Sequence, residues 1–193
     1  MEFTKIQLTK QGTLNATYKN DDGDIIQFQG ANIVHKDMKQ AMQALTPHLA
    51  LITEQREAFK ATLSELREQR ITDEKDNIYK RLTIDSISLS SGETRVAVSG
   101  SRILTKTGVI SITTPMVSLD DSEDYDYQND LALDIDAVIY EAKEYITNRK
   151  WGVKEAEIDF KDIEPFAGGV TADEAPLSDA APKRRGRKPK KVA

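Results

Sequence analysis

Two stretches of this chain, residues 3–34 and 82–114, are patterned alike. Each carries three short runs of alternating apolar and polar residues, separated by turn residues, and a helical period follows each stretch. A period of two buries one face of a strand and leaves the other in water, which is the pattern of antiparallel sheet. Helices that come after whole runs of strands segregate to one side of such a sheet, so the fold class is α+β.

In the first stretch Ile6 and Leu8 alternate with polar residues, and Lys10-Gln11-Gly12 signals a turn. Leu14, Ala16 and Tyr18 alternate again before Asp21-Asp22-Gly23-Asp24, a hairpin signal because Asp and Gly tolerate positive φ. Ile26 and Phe28 carry the pattern to Val34. A helix is expected over about 36–45, with Met38, Met42 and Leu45 on one face. Thr46-Pro47 reads as the start of a further helix, since Thr caps and Pro fits the first helical position. Leu49, Ile52, Phe59, Leu63 and Leu66 then recur at helical spacing, which predicts one long helix over 47–70 that projects from the body.

Residues 71–78 form a polar connection to the second stretch. By strict alternation Leu82 and Ile84 share one face and Ile87 and Leu89 the other, which predicts a bulge near Asp85-Ser86. Ser91-Gly92 and Lys106-Thr107-Gly108 are turns around a strand that carries Val96 and Val98. Ile110 and Ile112 continue to Pro115, which places the third strand at an edge or ends it. Asn129 or Asp130 is expected to cap a helix over 131–149 whose core face is Leu131, Ile135, Val138, Ala142, Tyr145 and Ile146. Trp151 and Phe160 are expected to pack a short closing segment.

The expected architecture is therefore two antiparallel three-stranded units, each followed by helix. That order fits an internal duplication about a pseudo-two-fold, although residue similarity between the halves is weak. Residues 1–160 read as a single α+β body with halves 1–72 and 73–160. Residues 161–182 turn Gly-, Ala-, Pro- and Asp-rich from Pro165 onward, a composition that reads as a flexible, disordered linker. Residues 183–193 are a basic tail.

Charge separates the tail from the rest. The chain has 27 basic and 32 acidic residues. The last eleven residues hold seven of the basic ones and no acid, so residues 1–182 carry 20 basic against 32 acidic, a net of −12. A body of that charge repels a phosphate backbone, so the tail is the expected nucleic-acid contact. The absence of cysteine excludes a disulfide scaffold, a thiolate zinc site and a cysteine nucleophile. No apolar run reaches the roughly 18 residues of a membrane span, and the first ten residues have no apolar core like that of a secretory signal. No membrane contact is expected, and the expected setting is bacterial cytoplasm or nucleoid.

The tail reads Lys183-Arg184-Arg185-Gly186-Arg187-Lys188-Pro189-Lys190-Lys191. It resembles the AT-hook, a short peptide that binds the minor groove of A·T-rich duplex DNA. Arg185, Gly186 and Arg187 match the core of that motif and Pro189 its proline. Lys188 stands where the family places proline directly after the second arginine. The resemblance implies an extended backbone. Glycine leaves nothing to hold the chain off the groove floor, both arginines run along the groove, and the flanking lysines reach phosphates.

Other clusters carry weaker signals. Lys80, Arg81, Arg95, Arg102 and Lys106 form a candidate secondary nucleic-acid face on the second sheet, although single-strand platforms add stacking aromatics and only Tyr79 is near. Asp120, Asp121, Glu123, Asp124, Asp126 and Asp130 read as a solvated acidic loop, because the glycine and closing glutamate of a calcium loop are missing. His35 and His48 have no metal-ligand spacing and are expected at the surface or at helix ends. No phosphate loop, nucleophile elbow or zinc-protease motif occurs, so no catalytic residue, metal or cofactor is assigned and the chain does not read as an enzyme.

The expectation is a small DNA-binding accessory protein of bacteriophage or bacterial DNA metabolism, anchored by its tail. Duplex DNA ranks ahead of single strands as the partner, and a protein partner or self-association is a further expectation. The alternative is a protein-interaction module that uses the 47–70 helix or the acidic 120–136 loop, with the tail incidental.

Overall fold

Alternation does produce the first meander. In the computed structural model, which describes residues 1–71, 77–120 and 125–153, β1 (Glu2–Leu8), β2 (Thr13–Lys19) and β3 (Ile25–Ile33) pair antiparallel in chain order. Ile6 sits opposite Ala16, and Ala16 opposite Phe28. The β2–β3 turn works as its sequence suggests. Gly23 takes φ +93°, and the Asn20 side-chain oxygen accepts the Asp24 N–H at 2.8 Å.

A second meander follows, made of β4 (Leu82–Leu89), β5 (Arg95–Leu104) and β6 (Gly108–Thr113). The short β7 (Val117–Ser118) also pairs with β5, at Val96 and Arg95. The bulge falls between Ile84 and Ser86, with Asp85 as the extra residue. It keeps Leu82, Ile84, Ile87 and Leu89 on one face, so what looks like a change of face in the sequence is none. The meanders join first strand to first strand, with Ile6 opposite Ile87 in an antiparallel β1–β4 pair. The order is β3-β2-β1-β4-β5-β6, the arrangement that a pseudo-two-fold through the β1–β4 seam produces.

Two helices cover one face. Met38 and Met42 of α1 (Lys36–Ala44) and Leu131, Ile135, Val138 and Ala142 of α5 (Gln128–Thr147) are buried with Phe3, Ile6, Leu14, Ile87 and Val98 in the main core. Each large apolar side chain sealed there contributes about 1.5–3 kcal/mol relative to exposure. Helix α5 begins earlier than expected. Its N-cap is Tyr127, with no side-chain cap, so neither Asn129 nor Asp130 caps it. Trp151 closes the described chain by an antiparallel bridge to Val34, whereas Phe160 lies outside the described residues. No helix among the described residues is long and apolar enough to cross a membrane.

The long helix over 47–70 does not form. α2 (Thr46–Ile52) ends where the Thr53 hydroxyl donates to the Leu49 carbonyl, and Glu54 and Lys60 then take left-handed φ values of 49° and 63°. A 3-10 turn at Arg56–Ala58 leads to α3 (Leu63–Glu68). α3 starts at a capping box in which Thr62 and Glu65 bond each other's backbone N–H groups. The cause is burial. A projecting helix would leave Ala58, Leu63 and Leu66 in water, whereas the folded-back chain seals all three. Ala58 and Leu66 join Ala50, Leu82 and Ile78 of α4 (Ile78–Arg81) in a second small core. Phe59, a member of the expected apolar stripe, is instead 76% exposed.

Candidate functional site

The turn that ends α2 has a chemical consequence, because it carries Arg56 and Glu57 against the far end of the second meander. Arg102 lies on the helix-side face of β5, two residues beyond Gly100. Any side chain at Gly100 would run into the Thr83 carbonyl and the Leu49 methyl groups, so the glycine lets α2 settle close to the sheet. Arg102 reaches past it to donate to the Glu57 carboxylate at 2.7 Å and to the Gln55 side chain. Arg81, at the end of α4, stands 3.9 Å from the same carboxylate and donates to the Thr105 hydroxyl at 3.3 Å.

Arg56, Glu57, Arg81, Arg102 and Thr105 line a polar pocket of about 480 Å³. Three arginines and one glutamate line it, so the pocket carries a net charge of +2 within a body of net negative charge. Burial works against the Glu57 charge. Its own backbone N–H and the Arg102 guanidinium outweigh that cost and hold the carboxyl below its ordinary value. Oε1 takes both arginine contacts, while Oε2 is buried with no hydrogen-bond partner among the described residues. Planar, permanently charged guanidiniums are the donors that suit a phosphate or another tetrahedral anion.

Of the five residues expected to share a basic face, the structure brings Arg81 and Arg102 together here. Lys106 is exposed in the β5–β6 turn beside Thr105, and Lys80 is exposed on α4. Arg95 lies apart, at the other end of β5 on the opposite face, where it donates to the Met116 carbonyl at 3.2 Å. Arg56 has no signal in the sequence, because its place in the pocket depends on the turn that breaks the helix. The tail residues, Lys183 to Lys191, lie outside the described residues, as do Asp121, Glu123 and Asp124 of the acidic stretch.

His48, Asp130 and Asp134 belong to a network between helices. His48 sits at a helix end as expected, in the first turn of α2, but is fully buried there rather than at the surface. Its Nδ1 lies 2.8 Å from the Tyr125 hydroxyl and its Nε2 3.1 Å from Asp134. Arg67 of α3 donates to Asp130 at 2.8 Å and to Asp134 at 2.9 Å. Burial pulls the Arg67 pKa down, but the two carboxylates outweigh it and hold it above its ordinary value. Burial also raises the Tyr125 hydroxyl well above the usual phenol range. The network ties α2, α3 and α5 together, and its sealed imidazole meets no solvent. His35 sits at a helix end as expected, accepting the Asp37 N–H at 3.3 Å as the N-cap of α1. Among the described residues no group of three or more His, Asp or Glu side chains is placed to hold a metal ion.

No family model matches this chain, and comparison with curated proteins and with solved structures also gives no match.

Proposed function

We propose that this protein is a small DNA-binding accessory factor of bacteriophage or bacterial DNA metabolism, anchored to duplex DNA by residues 183–191. The observation that carries the reading is the charge segregation: seven cations and no acid in the last eleven residues, after 182 residues of net charge −12. Some body cations are held in internal pairs: Arg67 with Asp130 and Asp134, Arg102 with Glu57, and Lys150 with Asp37 and Glu141. The pocket of Arg56, Arg81 and Arg102 is the place on the body suited to a backbone phosphate once the tail has bound. Lys80 on α4 and Lys106 in the β5–β6 turn are the secondary contacts of this reading.

Fluorescence anisotropy with duplex and single-stranded DNA at several salt concentrations tests this, comparing the full chain with residues 1–182. Seven tail cations allow a log–log salt slope of at most about −6 on duplex, at about −0.9 per phosphate neutralised. The proposal expects a slope of several units for the full chain and loss of binding on truncation. Preference for A·T-rich over G·C-rich competitor would support minor-groove docking. Binding that survives truncation unchanged, or no binding by either form at about 0.1 M salt, would overturn the tail as anchor.

A further inference from the structure

The two outer strands of the sheet differ. The end of β3 is tied into the body. The Tyr145 hydroxyl donates to the Asn32 carbonyl at 2.5 Å, the Gly152 N–H donates to the Ile33 carbonyl at 2.8 Å, and Trp151 bridges Val34. β6 pairs with β5 on one side and, among the described residues, with no strand on the other. Its outward backbone donors and acceptors therefore form a template for another strand.

Edge strands are normally blunted by charge, above all by lysine. From Thr107 to Leu119 this chain has no charged residue, although 31% of all its residues are charged. The strand itself is Gly-Val-Ile-Ser-Ile-Thr, rich in β-branched residues and free of proline. Val109 is 65% exposed and Ile110 45%, and Ile103, opposite Val109 on β5, is 49% exposed. A bare, apolar, uncharged edge on a strongly charged molecule marks an interaction surface.

We propose that β6 pairs antiparallel with β6 of a second copy of this chain, giving a sheet continuous across the two. Charge at the contact does not oppose this occupant: bodies of net charge −12 repel one another, but a contact confined to an uncharged edge adds no like-charge pair. Self-complementarity favours it. A two-fold perpendicular to the sheet keeps helix side with helix side, so residues paired across the seam must share a face. With Ser111 opposite Ser111, Ile110 meets Ile112 twice on the helix side, and Val109 meets Thr113 twice on the open side. With Ile110 on the axis instead, Ile112 would face Gly108 and Val109 would face Ser111, so the apolar pairs are lost. The first register is the one assigned. Two copies would also present two basic tails to one duplex, which multiplies affinity by effective concentration alone.

The edge is short, so association is expected in the micromolar range and is measured by sedimentation equilibrium of the full chain up to about 200 µM. The chain lacks cysteine, so Ser111→Cys introduces a single thiol on the proposed axis. Directly opposed residues in an antiparallel pair bring their Cβ atoms to about 4.5–5.5 Å, close enough for a disulfide after a small shift. The expected results are a concentration-dependent dimer, rapid oxidative cross-linking of Ser111→Cys, and slow cross-linking of the control Gln27→Cys on β3. Val109→Lys should abolish the dimer, and Val109→Lys added to Ser111→Cys should abolish the cross-link. Circular dichroism and urea unfolding check that the variants fold. A monomer at about 200 µM with no Ser111→Cys cross-link would overturn the proposal, as would a dimer that persists in Val109→Lys. Cross-linking of Ser111→Cys no faster than that of Gln27→Cys would do the same.

Discussion

Replacing Glu57 by glutamine tests what holds the arginine pocket together. The amide keeps the shape and removes the charge that Arg102 donates to at 2.7 Å. Breaking a fully buried ion pair costs about 3–5 kcal/mol, because one charge is left without a partner. Here Glu57 is 10% exposed and Arg102 15%, and Arg102 keeps its bond to Gln55, so the expected loss is smaller, about 1–3 kcal/mol at pH 7. The sign of the pH dependence follows from the depressed carboxyl. Its stabilisation is complete above the ordinary carboxylate value and is lost as pH falls through the lower folded value. The gap between wild type and Glu57→Gln should therefore narrow below about pH 4. Urea unfolding at neutral and acid pH, followed by circular dichroism, measures both. Combining Glu57→Gln with Arg102→Gln should recover part of the loss, with a coupling of about 1 kcal/mol or more. A cost within about 0.5 kcal/mol at pH 7, or a gap that does not narrow in acid, would refute the argument that Glu57 organises the pocket.

Two further substitutions separate binding from stability. Arg56→Ala removes an exposed guanidinium, so stability should stay within about 0.5 kcal/mol while the DNA salt slope becomes shallower by about 0.9, roughly eightfold in affinity at 0.1 M salt. An unchanged slope, read by the same anisotropy titration, would remove the pocket from the interface. Thr62→Ala should lower stability by about 1 kcal/mol in urea unfolding, because the capping box that starts α3 is lost. A single helix over 47–70 would put Thr62 mid-helix, where the same change would be neutral or stabilising.

Much of the fold is legible because its signals are local. Met38 and Met42, and Leu131, Ile135, Val138 and Ala142, show their burial through spacing alone, and Gly23 shows its turn through the φ it must adopt. The 47–70 stretch misleads for an equally physical reason. Helical spacing persists through Leu49, Ile52, Phe59 and Leu63, yet the chain folds back because doing so buries Ala58 and Leu66 in the second core. The break was partly visible as Thr62-Leu63-Ser64-Glu65, the capping-box pattern of a new helix start. Glu54 and Lys60, with their left-handed backbones, gave no such sign, since neither residue type favours that region.

Alternation, turn chemistry and helical spacing by themselves determined the six strands β1–β6, the helices α1 and α5, the bulge at Asp85 and the α+β class, because each depends on neighbours within a few residues, whereas β7 had no such signal. Charge counting alone marked the tail. Tertiary structure decided that the two meanders join at β1 and β4, and so that β6 is an outer strand with no further strand beside it among the described residues. It also decided that Arg56, Arg81 and Arg102, from three separate elements, line one pocket with Glu57. Both outcomes are set by which apolar faces are buried together, and that depends on contacts between residues far apart in the chain.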